Sequence, residues 1–241
     1  MTVTTTSLTR AAAVAAVAAG AIFIGVQVGH PHLDIGSVTT ADVVVRNSLK
    51  VLMAPLALAG ITGMYLSQVR RNGVLGLVGY LVLATGYLLI MSTTFVAAFV
   101  LPAVAGTAPS YVDAVLTLST GGAATADLGA LGVVWQVQSL CYLVGGLVLG
   151  VALFRARVLA RWATALLAVG GLVSVALSVM PDAFYRLLAF PNGIAMIGLG
   201  ISLWRVQRHT ADRDERAVRR GRTGRRPPMV RVAPQRARVL S

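Results

Sequence analysis

Few residues in this chain are equipped for chemistry, and they sit at or near the ends of long apolar runs. His30, His32 and Asp34 form a His-x-His-x-Asp spacing. In an extended segment alternate side chains point the same way, so two imidazoles and a carboxylate could meet one metal ion, and Pro31 favours such an extended run. The alternative is a polar loop facing water. A second set is uncharged: Ser92, Thr93 and Thr94 in one apolar run, Gln136, Gln138 and Ser139 early in another, and Asn192 in the last. On a helix Gln136 and Ser139 share one face, and Gln138 shares another with Tyr142. These groups could line a pocket for a neutral or amphiphilic small molecule, or they could hydrogen-bond between helices and hold a bundle together. A third set is cationic: Arg205, Arg208, Arg213, Arg216, Arg219 and Arg220 open a basic C-terminal tail. Arginines beside a membrane attract anionic lipid headgroups, and they also act as a plain orientation signal on a solvated tail.

What is missing excludes several classes. The uncharged runs hold no Asp, Glu, His, Lys or Arg, whereas proton relays, carboxylate-coupled carriers and membrane haem sites rely on such groups. No cofactor is therefore expected. Intramembrane metalloproteolysis would lack its ligands, and a serine protease its histidine. The single cysteine, Cys141, rules out an internal disulfide and a cysteine-based zinc site. Nucleic acid is a poor partner for the tail, because no aromatic residue follows Trp204 to stack on bases. An enzyme acting on lipid would have to draw on loop residues such as Asp113, Asp127 and His32, which form no nucleophile and base pair.

The elements that position these groups follow from composition. Of 241 residues, 56% are hydrophobic and 12% are charged, too apolar a balance for a soluble core of this length. The pattern implies an all-α, polytopic membrane bundle with the lipid bilayer as its first partner. Six spans are expected, at about residues 11–29, 51–69, 74–104, 128–154, 162–180 and 187–204, since a helix needs roughly 20 apolar residues to cross a core about 30 Å thick. Residues 1–10 precede them. The third segment is too long for one upright span and should tilt, with a kink or end near Pro102. The first could be a signal peptide, although its length favours a retained span.

Charge sets the orientation. Arg10, the Arg70–Arg71 turn, the Arg155, Arg157 and Arg161 turn and the twelve tail arginines would all lie on one side, against Arg46, Lys50 and Arg186 on the other. Basic residues on short loops stay cytoplasmic, so both termini are expected inside, in a bacterial cytoplasmic membrane. The uncharged polar set then falls in the outer half of the membrane. Tail residues 205–241 hold too little apolar surface to fold alone and should be mostly disordered, although Arg205 to Arg220 could extend the sixth helix. Thr39 with Asp42, and Ser110 with Asp113, have the spacing of capping boxes. Asp42, Arg46 and Lys50 follow one helical face. Val112, Val115, Leu116 and Leu118 could form the apolar side of a short surface helix ended by Gly121 and Gly122. Gly25 with Gly29, Gly146 with Gly150, and Gly170 with Ser174 and Ser178 mark expected close-packing faces.

The run Gly150-Val-Ala-Leu-Phe-Arg-Ala-Arg-Val-Leu-Ala-Arg-Trp162 with Gly170-Gly171, together with Arg46, Arg70, Arg71 and Gly79-Tyr80, resembles a family of bacterial six-span membrane proteins of unknown function. The resemblance covers roughly residues 40–204, leaves the basic tail outside, and implies a fold without an activity. The expected function is a non-enzymatic binding or accessory component. The alternative is a small permease or channel subunit for an uncharged or lipidic solute.

Overall fold

The computed structural model describes residues 4–120, 122–123, 125–178, 187 and 189–224, with the side chains of 174–178, 189 and 211–224 excepted. These residues are helix and turn, with no strand among them. In chain order they form α1 (Thr5–Gly25), α2 (Ala41–Leu66), α3 (Val69–Phe95), a π-helical turn (Val96–Val100), α4 (Leu101–Val104), α5 (Pro109–Ser119), α6 (Ala130–Ala156), α7 (Arg161–Ser178) and α8 (Ala189–Gly224). Among the described residues four stretches are long and apolar enough to cross a membrane: α1, α2, α3 through α4, and α6. The described apolar part of α7, Arg161–Val173, is shorter. The described residues up to 207 make one compact unit, and the helical residues 208–224 belong to a second. The expected turn at 181–186 and residues 225–241 lie outside the described residues.

Small side chains set how closely the helices approach. A Cβ on Gly60 of α2 would lie 2.8 Å from the Cβ of Ala16 in α1, and one on Gly79 of α3 would lie 2.8 Å from the Cα of Leu149 in α6. From the other side, Gly145 of α6 abuts Leu83 of α3. Such contacts bring backbones within van der Waals reach where lipid supplies no hydrophobic drive for association. Gly150 meets Ala168 of α7, so the Gly146–Gly150 face packs inside the bundle. Gly25 and Gly29 instead face open space, and Gly29 serves a turn with φ +63°. The side chains of Ser174 and Ser178 lie outside the described residues. Around these contacts Ile61, Met64, Leu83, Leu149, Leu153 and Leu199 form the main core.

A second, smaller core closes one end. Val38, Leu101, Val112, Val115, Leu116 and Leu128 are buried together there. The short α5 packs onto the bundle through its apolar side, where Val112, Val115 and Leu116 are buried against the other elements' apolar residues and Leu118 is partly so. The opposite end carries Arg10, Arg70, Arg71, Arg155, Arg157, Arg161 and Arg205. Arg10 lies 5.9 Å over the Trp204 ring and Arg161 4.4 Å over Phe154. We call these the α5 end and the arginine end.

Several boundaries differ from the expectation. Helix α1 begins at Thr5 because Thr4 and Ser7 cap each other: Ser7 N–H donates to Thr4 Oγ1 at 3.2 Å and Thr4 N–H to Ser7 Oγ at 3.0 Å. The Thr39–Asp42 box does not form. Thr40 is the residue before α2, which leaves Asp42 one position short, and Asp42 instead accepts from Arg46 Nε at 2.9 Å. The Ser110–Asp113 box fails for a similar reason, since α5 opens at Pro109 and Ser110 is already inside it. Helix α2 itself runs unbroken from Ala41, so Arg46 and Lys50 belong to its first turns.

The expected irregularity near Pro102 is the π turn just before it. Proline has no N–H to offer the carbonyl four residues back, Ala98, and its ring crowds that carbonyl. The chain widens by one residue, and Leu101 N–H bonds to Val96 O instead of Ala97 O. The Ala97 carbonyl thus loses its helical partner, and Asn47 Nδ2 of α2 donates to it at 3.4 Å.

Candidate cavity at the α5 end

That repair brings α2 and α3 together beside a cavity of about 640 Å³. Its walls come from the α1–α2 connection (Gln27, His30, His32, Asp34), from α2 (Asn47, Lys50), from α3 and the π turn (Thr93, Thr94, Ala97), and from α5 and α6 (Asp113, Leu116, Thr117, Trp135). The volume falls within the range of small-molecule sites, roughly 300–1,000 Å³.

Local structure explains how each group arrives there. Past α1 the chain turns back, and Arg46 Nη1 donates to the carbonyls of Val26 (3.0 Å) and Val28 (2.8 Å). A guanidinium on carbonyls left open by a helix end satisfies them and favours the negative pole of that helix. The same arginine holds Asp42, the single ion pair among the described residues. With this strap in place His30 is buried, 6% exposed, and its Nδ1 lies 2.9 Å from the Pro31 carbonyl. A carbonyl only accepts, so Nδ1 carries the proton and Nε2 is an acceptor. Lys50 answers it, with Nζ 3.4 Å from His30 Nε2 and 3.3 Å from Asn47 Oδ1. A half-buried ammonium, a neutral imidazole and an amide therefore form one connected group on the cavity wall.

His30, His32 and Asp34 are not brought together as a group among the described residues. All three border the cavity, but no three His, Cys, Asp or Glu side chains converge among the described residues. The extended run that would align them ends too soon. His30 turns inward to Lys50, His32 is exposed, and Asp34 closes a turn in which its Oδ1 accepts from Ser37 N–H at 2.6 Å. That backbone hydrogen bond, ahead of all other influences, holds the Asp34 carboxyl below its ordinary pKa.

The uncharged set divides. Thr93 and Thr94 line the cavity, and Thr93 Oγ1 donates to Gln138 Oε1 at 2.6 Å, joining α3 to α6. Ser92 and Ser139 are exposed and donate to their own helices, at Leu88 O (3.0 Å) and Trp135 O (3.0 Å). Gln136 is exposed as well. Asn192 is buried elsewhere, against Gly170 of α7. Of the arginine set, Arg205 and Arg208 are exposed on α8, while the side chains of Arg213, Arg216, Arg219 and Arg220 lie outside the described residues.

Sequence reasoning missed Lys50, Asn47 and His30 as a group. The signal was available: Asn47 and Lys50 are three apart, one helical turn, directly before the apolar run of α2. Asp42, Arg46 and Lys50 read as one helical face ahead of the apolar part that starts at Val51, but nothing in that spacing tied Lys50 to His30. A groove of about 650 Å³ at the arginine end is lined mainly by the α2–α3 turn, including Gln68, Arg70 and Arg71. It has fewer walls than the cavity at the α5 end.

No protein-family model, curated protein or solved structure matches the chain.

Proposed function

We propose that this is a six-span protein of a bacterial cytoplasmic membrane with both termini inside, and that it binds a small amphiphilic molecule at its α5 end. The observation that carries the binding role is the cavity of about 640 Å³, walled by five segments and furnished with both polar and apolar residues. The orientation rests on charge: apart from Arg46, Lys50 and Arg186, every Lys and Arg precedes, follows or joins spans at the arginine end or lies in the tail. On that reading the α5 end faces outward, and ligand enters from the outer leaflet or the space beyond it. The resemblance to bacterial six-span proteins supports the count of spans. The tail arginines, from Arg205 and Arg208 onward, are assigned to anionic headgroups of the inner leaflet.

The binding role is read as non-enzymatic: His30, the buried imidazole of the cavity wall, is turned to Lys50 and the Pro31 carbonyl. A permease is the second reading, favoured by the π turn beside Ala97, because interrupted helices often line solute sites in transporters. Native mass spectrometry of the full-length protein, extracted with surrounding lipid, tests binding. The expected result is a discrete small-molecule adduct that is lost in Thr94→Trp, which fills the cavity. A bare protein, or an adduct unaffected by that substitution, would contradict the assignment.

A further inference from the structure

The cavity has one Lys or Arg among its described lining residues, Lys50, and that residue has no carboxylate partner among the described residues. Two of its three N–H groups point to Asn47 Oδ1 and His30 Nε2, both neutral acceptors at the long end of hydrogen-bond distance. Neutral acceptors orient an ammonium without balancing its charge. A half-buried ammonium with no carboxylate beside it is stabilised when an anion comes to it. The nearest charged neighbour on its own helix, Arg46, is already committed to Asp42 and to the end of α1.

The rest of the wall says what must accompany that anion. Val38, Leu101, Val115 and Leu116 are apolar, buried residues of the second core, and Trp135 packs against them. Asp34 and Asp113 also border the cavity, but both are exposed, where water screens them. They disfavour a dianion more than a single charge. We infer, building on the cavity reading above, that the site takes an amphiphile with a singly charged anionic head, a carboxylate or a phosphate ester, placed on Lys50 with its chain along the Val38–Leu101–Val115–Leu116 wall. His30 and Asn47 act as positioning residues that aim the ammonium.

The test uses full-length protein in phosphatidylcholine nanodiscs at neutral pH, with tritiated oleate as tracer and unlabelled oleate, oleoyl lysophosphatidylglycerol (a singly charged phosphodiester) and oleyl alcohol as competitors. The expected result is that an anionic competitor displaces tracer at a concentration at least tenfold below that of oleyl alcohol. Lys50→Met should remove that gap and Lys50→Arg should keep it. Oleate as the stronger competitor assigns a carboxylate head, and lysophosphatidylglycerol as the stronger assigns a phosphodiester. Equal competition by oleate and oleyl alcohol on the native protein would overturn the anionic head while leaving the cavity as a binding site. No saturable tracer binding, with no adduct in the mass spectrum either, would overturn the cavity reading itself. The comparison of competitors on the native chain needs no variant, so a folding defect in Lys50→Met does not obscure it.

Discussion

Asn47 of α2 donates its side-chain amide to the backbone carbonyl of Ala97, 50 residues away, at the one place where the π turn has taken that carbonyl's own partner. A proline at position 102 causes the break, and an asparagine on a neighbouring helix satisfies it. Asn47→Leu should therefore leave a half-buried carbonyl unpaired and lower stability by about 1 kcal/mol. In Pro102→Ala the π turn can relax to α-helix, so the cost of Asn47→Leu in that background should shrink. Thermal unfolding of the two single variants and the double variant in detergent measures the coupling. Strict additivity would mean that the two residues are unconnected.

Glycines that look equivalent in the sequence should respond oppositely. Gly79→Ala places a methyl 2.8 Å from the Leu149 Cα, where backbone cannot yield, and should cost about 1–3 kcal/mol. Gly132→Ala finds its nearest neighbour at 4.0 Å and should be neutral or stabilise by up to about 1 kcal/mol through reduced chain entropy. Melting temperatures of the two purified variants decide this, and equal shifts would contradict the packing of α3 on α6.

Gln136 and Gln138 separate in the same way. Gln138→Leu deprives Thr93 of an acceptor 2.6 Å away and should destabilise by roughly 1–2 kcal/mol. Gln136→Leu changes an exposed side chain and should stay within about 0.5 kcal/mol of the parent. Denaturation midpoints of both variants in one detergent provide the comparison.

The turn that carries Asp34 should respond to acid. Its folded-state pKa lies below the ordinary value because Ser37 N–H stabilises the carboxylate. A depressed carboxyl pKa contributes stability above the unfolded value and loses it as pH falls through the folded value. The turn bordering the cavity should thus be intact at neutral pH and loosen only under acid. A carboxyl-carbon NMR titration of Asp34 should give a midpoint below 3.8, the ordinary value for aspartate. A midpoint at or above that value would remove the Ser37 hydrogen bond from the account.

How much could be read in advance depended on what physics governs each feature. Long runs such as 128–154 and 74–104 announce helices because only internal hydrogen bonding lets so much apolar chain pack, and α6 and α3 lie there. Pro102 marked the irregularity of α3 through a local steric rule. The cap at Thr40 slipped by one residue because such spacings match several registers, and only the packing of the α1–α2 connection chooses among them. The cavity was half legible. Thr93 and Thr94 stood out as polar residues in an apolar run, whereas His30 comes from a separate segment and is held beside Asn47 and Lys50 of α2 by the Arg46 strap. A contact between residues 20 positions apart has no periodic signature.

The central claim is that the α5-end cavity holds a specific small molecule in the living membrane. Photo-crosslinking tests it most directly, with benzoylphenylalanine placed at Trp135 on the cavity wall or at Val74, which is 78% exposed. After irradiation of intact cells and mass analysis of the purified protein, Trp135 should carry one discrete low-mass adduct and Val74 the mixed lipids of the bilayer. The same lipid mixture at both positions would contradict a specific site.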